Sequence, residues 1–325
     1  MSGGTQFGRA YKLIVSNNVV ELDLSALHFK FLVKSMDIPT PNTLSVRVYN
    51  LTPTTSARIR VGEFSKVTLS AGYQAGVNYG QIFTGDIKHV HIGRERNVDN
   101  YVEILAGDGD SLYNFGLNNT TVGAGASPAD VFNVVSQAVT QFGVDIDDHA
   151  ADVFNKMGGI LPRGAVISGL FRTEMSGLCR TADARWSIQQ GRLIVVPNTG
   201  CLQSPIVKLN SKTGLIGVPE ATDNGINIRM LLNGNLQIAG RVQVNEGDIN
   251  AQIVQQQSYP NPGDVYFPAQ VTTDGVYRVV VLNHSGDTRG QEWYTDIVGL
   301  SLDAPTNTTQ QYPGSTNAPD GAMMG

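Results

Sequence analysis

The sequence predicts a mainly β protein with a small α/β insert, on three observations. Apolar residues alternate with polar ones through most of the chain, the period of a strand with one buried face. Glycine is abundant, at 36 residues, and short β-rich runs are cut by Asn-Gly, Thr-Gly and proline punctuation. Only the middle of the chain switches to the helical period.

Taken in order, residues 1–122 read as a first β-barrel domain. Leu27, Phe29, Phe31 and Val33 alternate with His28, Lys30, Leu32 and Lys34. Leu44, Val46 and Val48 repeat the pattern before Pro53, as do Val67, Leu69 and Ala71. Gly80–His91 and Tyr101–Ala106 make a hairpin through Gly93–Asn100. Evenly spaced strands with no helix between them predict a sandwich or barrel.

Residues 123–199 form the α/β insert. Ser127-Pro128-Ala129-Asp130 is a helix start: a side-chain cap, a proline at the first helical position and an acid near the positive end of the dipole. Val131, Phe132, Val135, Val139 and Phe142 then make one stripe, and Gly143 supplies the stop. A second helix is predicted over Ser168–Ala184, with Leu170, Phe171, Met175, Leu178, Cys179 and Ala182 on one side. Trp186–Ile188, a Gln190-Gly191 turn and Leu193–Val196 make a closing hairpin.

Residues 200–303 read as a second β-barrel domain, opened by the strands Ile206–Leu209, Ile226–Leu232 and Gln237–Val244. Pro219 keeps its run off a central-strand position. The last hairpin pairs Val276–Leu282 with Trp293–Val298 through the loop Asn283–Gly290. A strand ending in His89-Val90-His91 has a faint counterpart ending in Asn283-His284, as a duplicated barrel would leave. Residues 304–325 are too poor in apolar side chains to order themselves and read as a flexible arm.

At 325 residues the chain is long enough for two or three domains with their own cores. Charged residues are 16%, against roughly 25% in ordinary soluble domains. Such a surface suits a protein packed against neighbours, where each buried charge needs a partner. The net charge is −5 and no basic run exceeds Arg94-Glu95-Arg96, so the phosphate footprint of a nucleic-acid binder is missing. Cys179 and Cys201 lack metal or redox spacing and read as buried reduced thiols. The first residues carry no apolar targeting segment and no run spans a membrane, which predicts assembly in the cytoplasm without a membrane anchor.

Candidate chemistry is sparse. His89 and His91 share a strand face and could give two metal ligands, but no third is evident, and edge or lumen-facing histidines explain them equally. Asp145, Asp147, Asp148, His149 and Asp152 are acidic without the oxygen alternation, sixth-place glycine and terminal Glu of a calcium loop. Gly107-Asp108-Gly109-Asp110 could pass for a phosphate or metal turn, but a turn closing a strand is the plainer reading. The loop His284–Gly290 resembles an anion nest, and equally a hairpin loop shaped by an Asp287–Arg289 pair. Glu292 and Asp296 are acids of the kind a glycosidase pairs, but sequence alone sets no distance between them. No catalytic, cofactor-binding or metal residue is therefore assigned, and no cofactor or enzymatic activity is expected.

Several motifs, in this order, resemble one family. They are Phe83-Thr84-Gly85-Asp86-Ile87 and Leu105-Ala106-Gly107-Asp108-Gly109, then Thr213–Pro219 with Asn224-Gly225-Ile226 and Leu231-Leu232. The last is Gly275-Val276-Tyr277 through His284–Asp287 to Trp293. The chain is similar here to phage tail and baseplate hub proteins, including late-control-D-type tail proteins and the base of type VI secretion spikes. The resemblance implies two tube-like β-barrels per chain and a homotrimer presenting six similar barrels around a channel. Such a virion ring would adapt a sixfold tail tube protein to a threefold central spike protein, touch other baseplate proteins and pass DNA without specific binding. The competing expectation is a tail-associated hydrolase acting on bacterial cell wall or surface polysaccharide.

Overall fold

The computed structural model describes residues 6–17, 19–74, 78–95, 99–222, 225–244 and 275–302. The first β region contains β1 (Arg9–Ser16), β2 (Glu21–Asp23), β3 (Phe29–Met36), β4 (Thr43–Tyr49), α1 (Pro53–Arg60), β5 (Lys66–Tyr73), β6 (Gly80–Arg94) and β7 (Asn100–Gly107). The middle region contains α2 (Asp110–Phe115), β8 (Leu117–Val122), α3 (Pro128–Gln141), β9 (Asp145–Ile146), α4 (Asp152–Asn155), β10 (Ala165–Leu170), α5 (Phe171–Thr181), β11 (Ala184–Gln189) and β12 (Arg192–Pro197). The last region contains β13 (Val207–Leu209), β14 (Leu215–Thr222), β15 (Gly225–Leu231), β16 (Arg241–Val244), β17 (Val276–Asp287) and β18 (Trp293–Ser301). The molecule is mainly β with a few short helices.

One continuous sheet runs through both β regions. Its order is β14-β15-β18-β17-β3-β4-β7-β6-β5-β1-β2, with β13 and β16 joined to it through β17. Strand β17 is the hinge of this path. Its start pairs with β16 from Val276 to Arg278, and its end pairs with β3 from Val281 to Asp287. Against β18 the register shifts between Val279 and Val281, and such a bulge bends a strand so that it can serve two neighbours in succession. The predicted loop Asn283–Gly290 is therefore strand as far as Asp287.

Two closed barrels are not present among the described residues. In the first region, Leu13 and Val15 of β1 share a buried cluster with Phe29 and Val33 of β3, although these strands are far apart along the path. The sheet thus curls around its own apolar face. It does not close, because both edges of β3 are occupied, by β4 and by β17, which leaves no ladder for β1. In the second region β18 is likewise flanked by β15 and β17.

Three buried clusters follow the chain. The first gathers the curled sheet and takes in Leu232 and Trp293 from the far end of the sequence. The second packs α3, α4 and α5 on β11 and β12, with the Phe132 and Phe154 rings stacked at 4.7 Å. The third holds Ile226, Ile228 and Met230 of β15 against Tyr277, Val279 and Ile297.

The helix start at Ser127 forms a full capping box. Ser127 Oγ accepts the Asp130 N–H, and the Asp130 carboxylate accepts the Ser127 N–H at 2.8 Å. Gly143 ends the helix at φ +66°. The second helix begins three residues later than predicted, at Phe171, because Ala165–Leu170 pairs with β8 instead. Helix α1 was not anticipated between strands, although Thr52 caps it through Thr55 N–H and Pro53 occupies its first turn. Pro219 lies in β14, which among the described residues pairs only with β15 and is shifted in register between Ile216 and Glu220, where a missing N–H costs little.

Candidate functional site

The side chains that do concerted work lie where the three clusters meet. The first joint is the seam between β1 and the β17–β18 hairpin. Tyr11 packs edge-on against Phe29 at 5.3 Å and lies 6.0 Å from Trp293, whose ring meets Phe31 edge-on at 5.5 Å. Arg9 covers Trp293 at 5.2 Å, and its Nη1 donates to the carbonyls of Asp287 and Gly290 at 2.5 and 2.6 Å. Its Nη2 reaches the Gln291 carbonyl at 3.1 Å. One guanidinium thus supplies along the seam the donors that a ladder would otherwise provide.

Asp287 organises the loop beyond. Its Oδ1 accepts the N–H groups of Arg289 and Gly290 at 2.9 and 2.7 Å and lies 2.7 Å from His28 Nε2, with Lys30 at 3.7 Å from Oδ2. Burial pulls this carboxyl up, but the Arg289 N–H, His28 and the Gly290 N–H outweigh it and leave it below the usual range. The loop is therefore shaped through the Arg289 backbone, with the His28 ring and Lys30 beside the carboxylate, rather than by an Asp–Arg ion pair. His284 is fully buried, 2.9 Å from Thr295 Oγ1, and burial lowers its pKa to about 4, so it is neutral at physiological pH.

The second joint fixes the insert to the end of β7. Asp108 is 1% exposed and accepts the Gly191 N–H at 2.9 Å. Burial, opposed by the N–H groups of Gly191 and Gln190, pushes its pKa up to about 7. Beside it Asn42 Nδ2 donates to the Ile188 carbonyl at 2.9 Å and to Gln189 Oε1 at 2.7 Å, while Gln189 Nε2 donates to the Met36 carbonyl at 3.0 Å. Gln190 and Gly191 both have positive φ, +55° and +77°, so the tight turn of the β11–β12 hairpin aims its N–H groups at this carboxyl. The Gly107–Asp110 turn closes a strand, as expected, and its first acid clamps a neighbouring turn.

The third joint ties the insert to both β regions. Arg185 Nε donates to Asp37 at 2.6 Å, and its Nη atoms reach the carbonyls of Pro197, Asn198 and Gly200. Arg278 donates to the same Asn198 carbonyl at 2.8 Å.

The remaining sequence candidates stay apart. His89 and His91 are exposed on β6 with ring centroids 6.3 Å apart. His149 Nδ1 lies 3.0 Å from Asp152 Oδ2, and Arg192 is 3.8 Å from Asp147; Asp145 and Asp148 are exposed. Asp296 faces Arg229 at 3.6 Å, and Glu292 is exposed. Among the described residues no group of three or more His, Cys, Asp or Glu is placed to hold a metal. Cys179 is buried, its thiol pushed up to about 12 by burial, but Cys201 is only half-buried, because it lies in the loop between β12 and β13 rather than in a core. No helix among the described residues is long and apolar enough to cross a membrane. The arm 304–325 and Asn224 lie outside the described residues.

The fold has counterparts among solved structures. A tail protein from Neisseria meningitidis superposes with a TM-score of 0.56 and 11% identity, over 91% of this chain and 97% of that one. The 43 kDa tail protein of prophage MuSo2 from Shewanella oneidensis gives 0.54 and 7%, over 90% and 99%. An E. coli component of the type VI secretion system, described as similar in structure to the T4 bacteriophage tail proteins gp27 and gp5, gives 0.50 and 8%, over 84% and 73%. A chain of the Francisella PdpA–VgrG complex gives 0.51 and 9%, over 95% of this chain and 60% of that one. No protein-family model and no curated protein matches the sequence. The chain has the fold of phage tail proteins. At these identities the likeness defines the fold, which agrees with the resemblance carried by the sequence motifs.

Proposed function

We propose that this chain is the structural hub of a phage or phage-like tail baseplate. Three copies, each giving two curled β units, would form a ring of six similar units around an open axis. Such a ring joins a sixfold tail tube to a threefold spike and leaves a channel for DNA on ejection. We divide the chain accordingly into 1–122, 123–199, 200–303 and an arm from 304 to 325. The protein would act in the virion tail, as a scaffold rather than an enzyme.

The observation that carries this reading is the fusion of two β regions into one sheet by β17, in a fold shared over about nine-tenths of its length with phage tail proteins. That path ends in outer strands, β2 and β14, and β14 exposes Ile216 and Val218. Uncovered apolar strand edges favour pairing with another chain. The Francisella complex supports a spike as one partner. Native mass spectrometry of the purified chain tests the proposal: a trimer is expected, and a stable monomer at high concentration would sink it.

A further inference from the structure

A groove of about 250 Å³ lies where the segment entering β13 meets the turn before β16. Pro205, Val207, Leu236 and Val242 make its apolar walls, and Arg241 lines it beside Ser204. Arg241 Nη2 donates to the Ser204 carbonyl at 3.1 Å, while its Nε is buried without a hydrogen-bond partner among the described residues. Directly opposite Arg241 in the ladder stands Arg278, and like charges so placed repel. Arg185, Arg241 and Arg278 all bear on the Cys201 thiol, and so does Asp37, whose Oδ2 Arg185 engages at 2.6 Å while its Oδ1 finds no hydrogen-bond partner among the described residues. Arg241 thus lines the groove without an ion pair to a carboxylate among the described residues.

The surroundings decide what could supply that carboxylate. Inorganic phosphate would use the guanidinium and gain nothing from aliphatic walls. A nucleic acid needs a clustered basic face, and the chain carries a net −5. An extended peptide with an acidic residue between aliphatic ones uses both features. Strand β13 at the groove pairs only with β16 among the described residues, and an extended peptide added along its other edge would continue the ladder. We propose that this groove docks an extended acidic–aliphatic segment of a partner protein, its carboxylate held by Arg241 and its aliphatic side chains by the walls. The idea rests on the hub reading only in that a scaffold has partners.

Fluorescence anisotropy on the full chain tests it, with a labelled Leu-Val-Glu-Val-Leu peptide, its Gln counterpart, and phosphate as competitor. The Glu peptide is expected to bind at least tenfold more tightly than the Gln peptide. Arg241→Gln should abolish that difference, and Arg241→Lys should keep part of it. Circular dichroism melts should show that both variants fold. Equal binding of the two peptides, no binding of either, an unchanged preference in Arg241→Gln, or displacement by phosphate at the peptide's own concentration would each overturn the proposal. A monomeric chain that still prefers the Glu peptide would overturn the hub and leave the groove standing.

Discussion

At the scale of single residues, polar side chains here act as fasteners between elements. Asp108 is the sharpest case. Its folded-state pKa, about 7, lies above the ordinary 3.8, so the buried neutral form is favoured and the carboxylate penalised. The sign follows: stability from this group is fully present below pH 3.8 and is lost as pH rises through about 7. The whole change is worth on the order of 4 kcal/mol at most. Urea midpoints of the wild type should therefore fall between pH 5 and pH 8, and Asp108→Asn should flatten that dependence. Parallel pH profiles for the two proteins would contradict the assignment. Asp108 is legible in the sequence as part of a strand-closing turn, but its clamp is not, because the partner N–H groups belong to a turn more than eighty residues away. Arg9 was missed altogether. Nothing local marks an arginine that will donate to three carbonyls near the far end of the chain.

At the scale of elements, what the sequence made legible was local. Period-two alternation in β3 survives as strict alternation of burial from Phe29 to Met36, and the Ser127–Asp130 signature gives a capped helix. What it hid was pairing at a distance. The sequence ends β17 at Leu282, because Asn283, His284, Ser285 and Gly286 look like turn residues. Each is accounted for in the ladder instead, and Gly286 by close packing: an added Cβ would lie 2.4 Å from Phe31 Cζ and 2.9 Å from Trp293 Cε3. Gly286 stands opposite Phe31 on one side and Trp293 on the other, so its missing side chain lets the two rings meet. Gly286→Ala should lose roughly 1–3 kcal/mol in urea unfolding through overpacking. Adding Phe31→Leu should return part of the loss, since the smaller side chain makes room. A Gly286→Ala protein as stable as the wild type would show that the packing is loose.

At the scale of the whole molecule, the three buried clusters are not three independent parts. The first cluster lies mostly within residues 13–106, yet it includes Leu232 and Trp293, and one edge of β3 is covered by β17. Arg185 ties the insert to both neighbours, through Asp37 and the Gly200 carbonyl, and Asn42 with Gln189 ties it to the first. A fragment ending at residue 122 would lose its Trp293 and Arg9 contacts and uncover a full strand edge with an apolar face beside it. Exposed edges of that kind pair with other chains rather than with water. The expectation is that this fragment aggregates or melts without cooperativity, while the full chain protects β3 and β17 amides to a common degree in native-state hydrogen exchange. A soluble, monomeric fragment with a sharp thermal transition would show that the first β region folds on its own. The shared strand would then be a late docking event rather than the beam on which both halves are built.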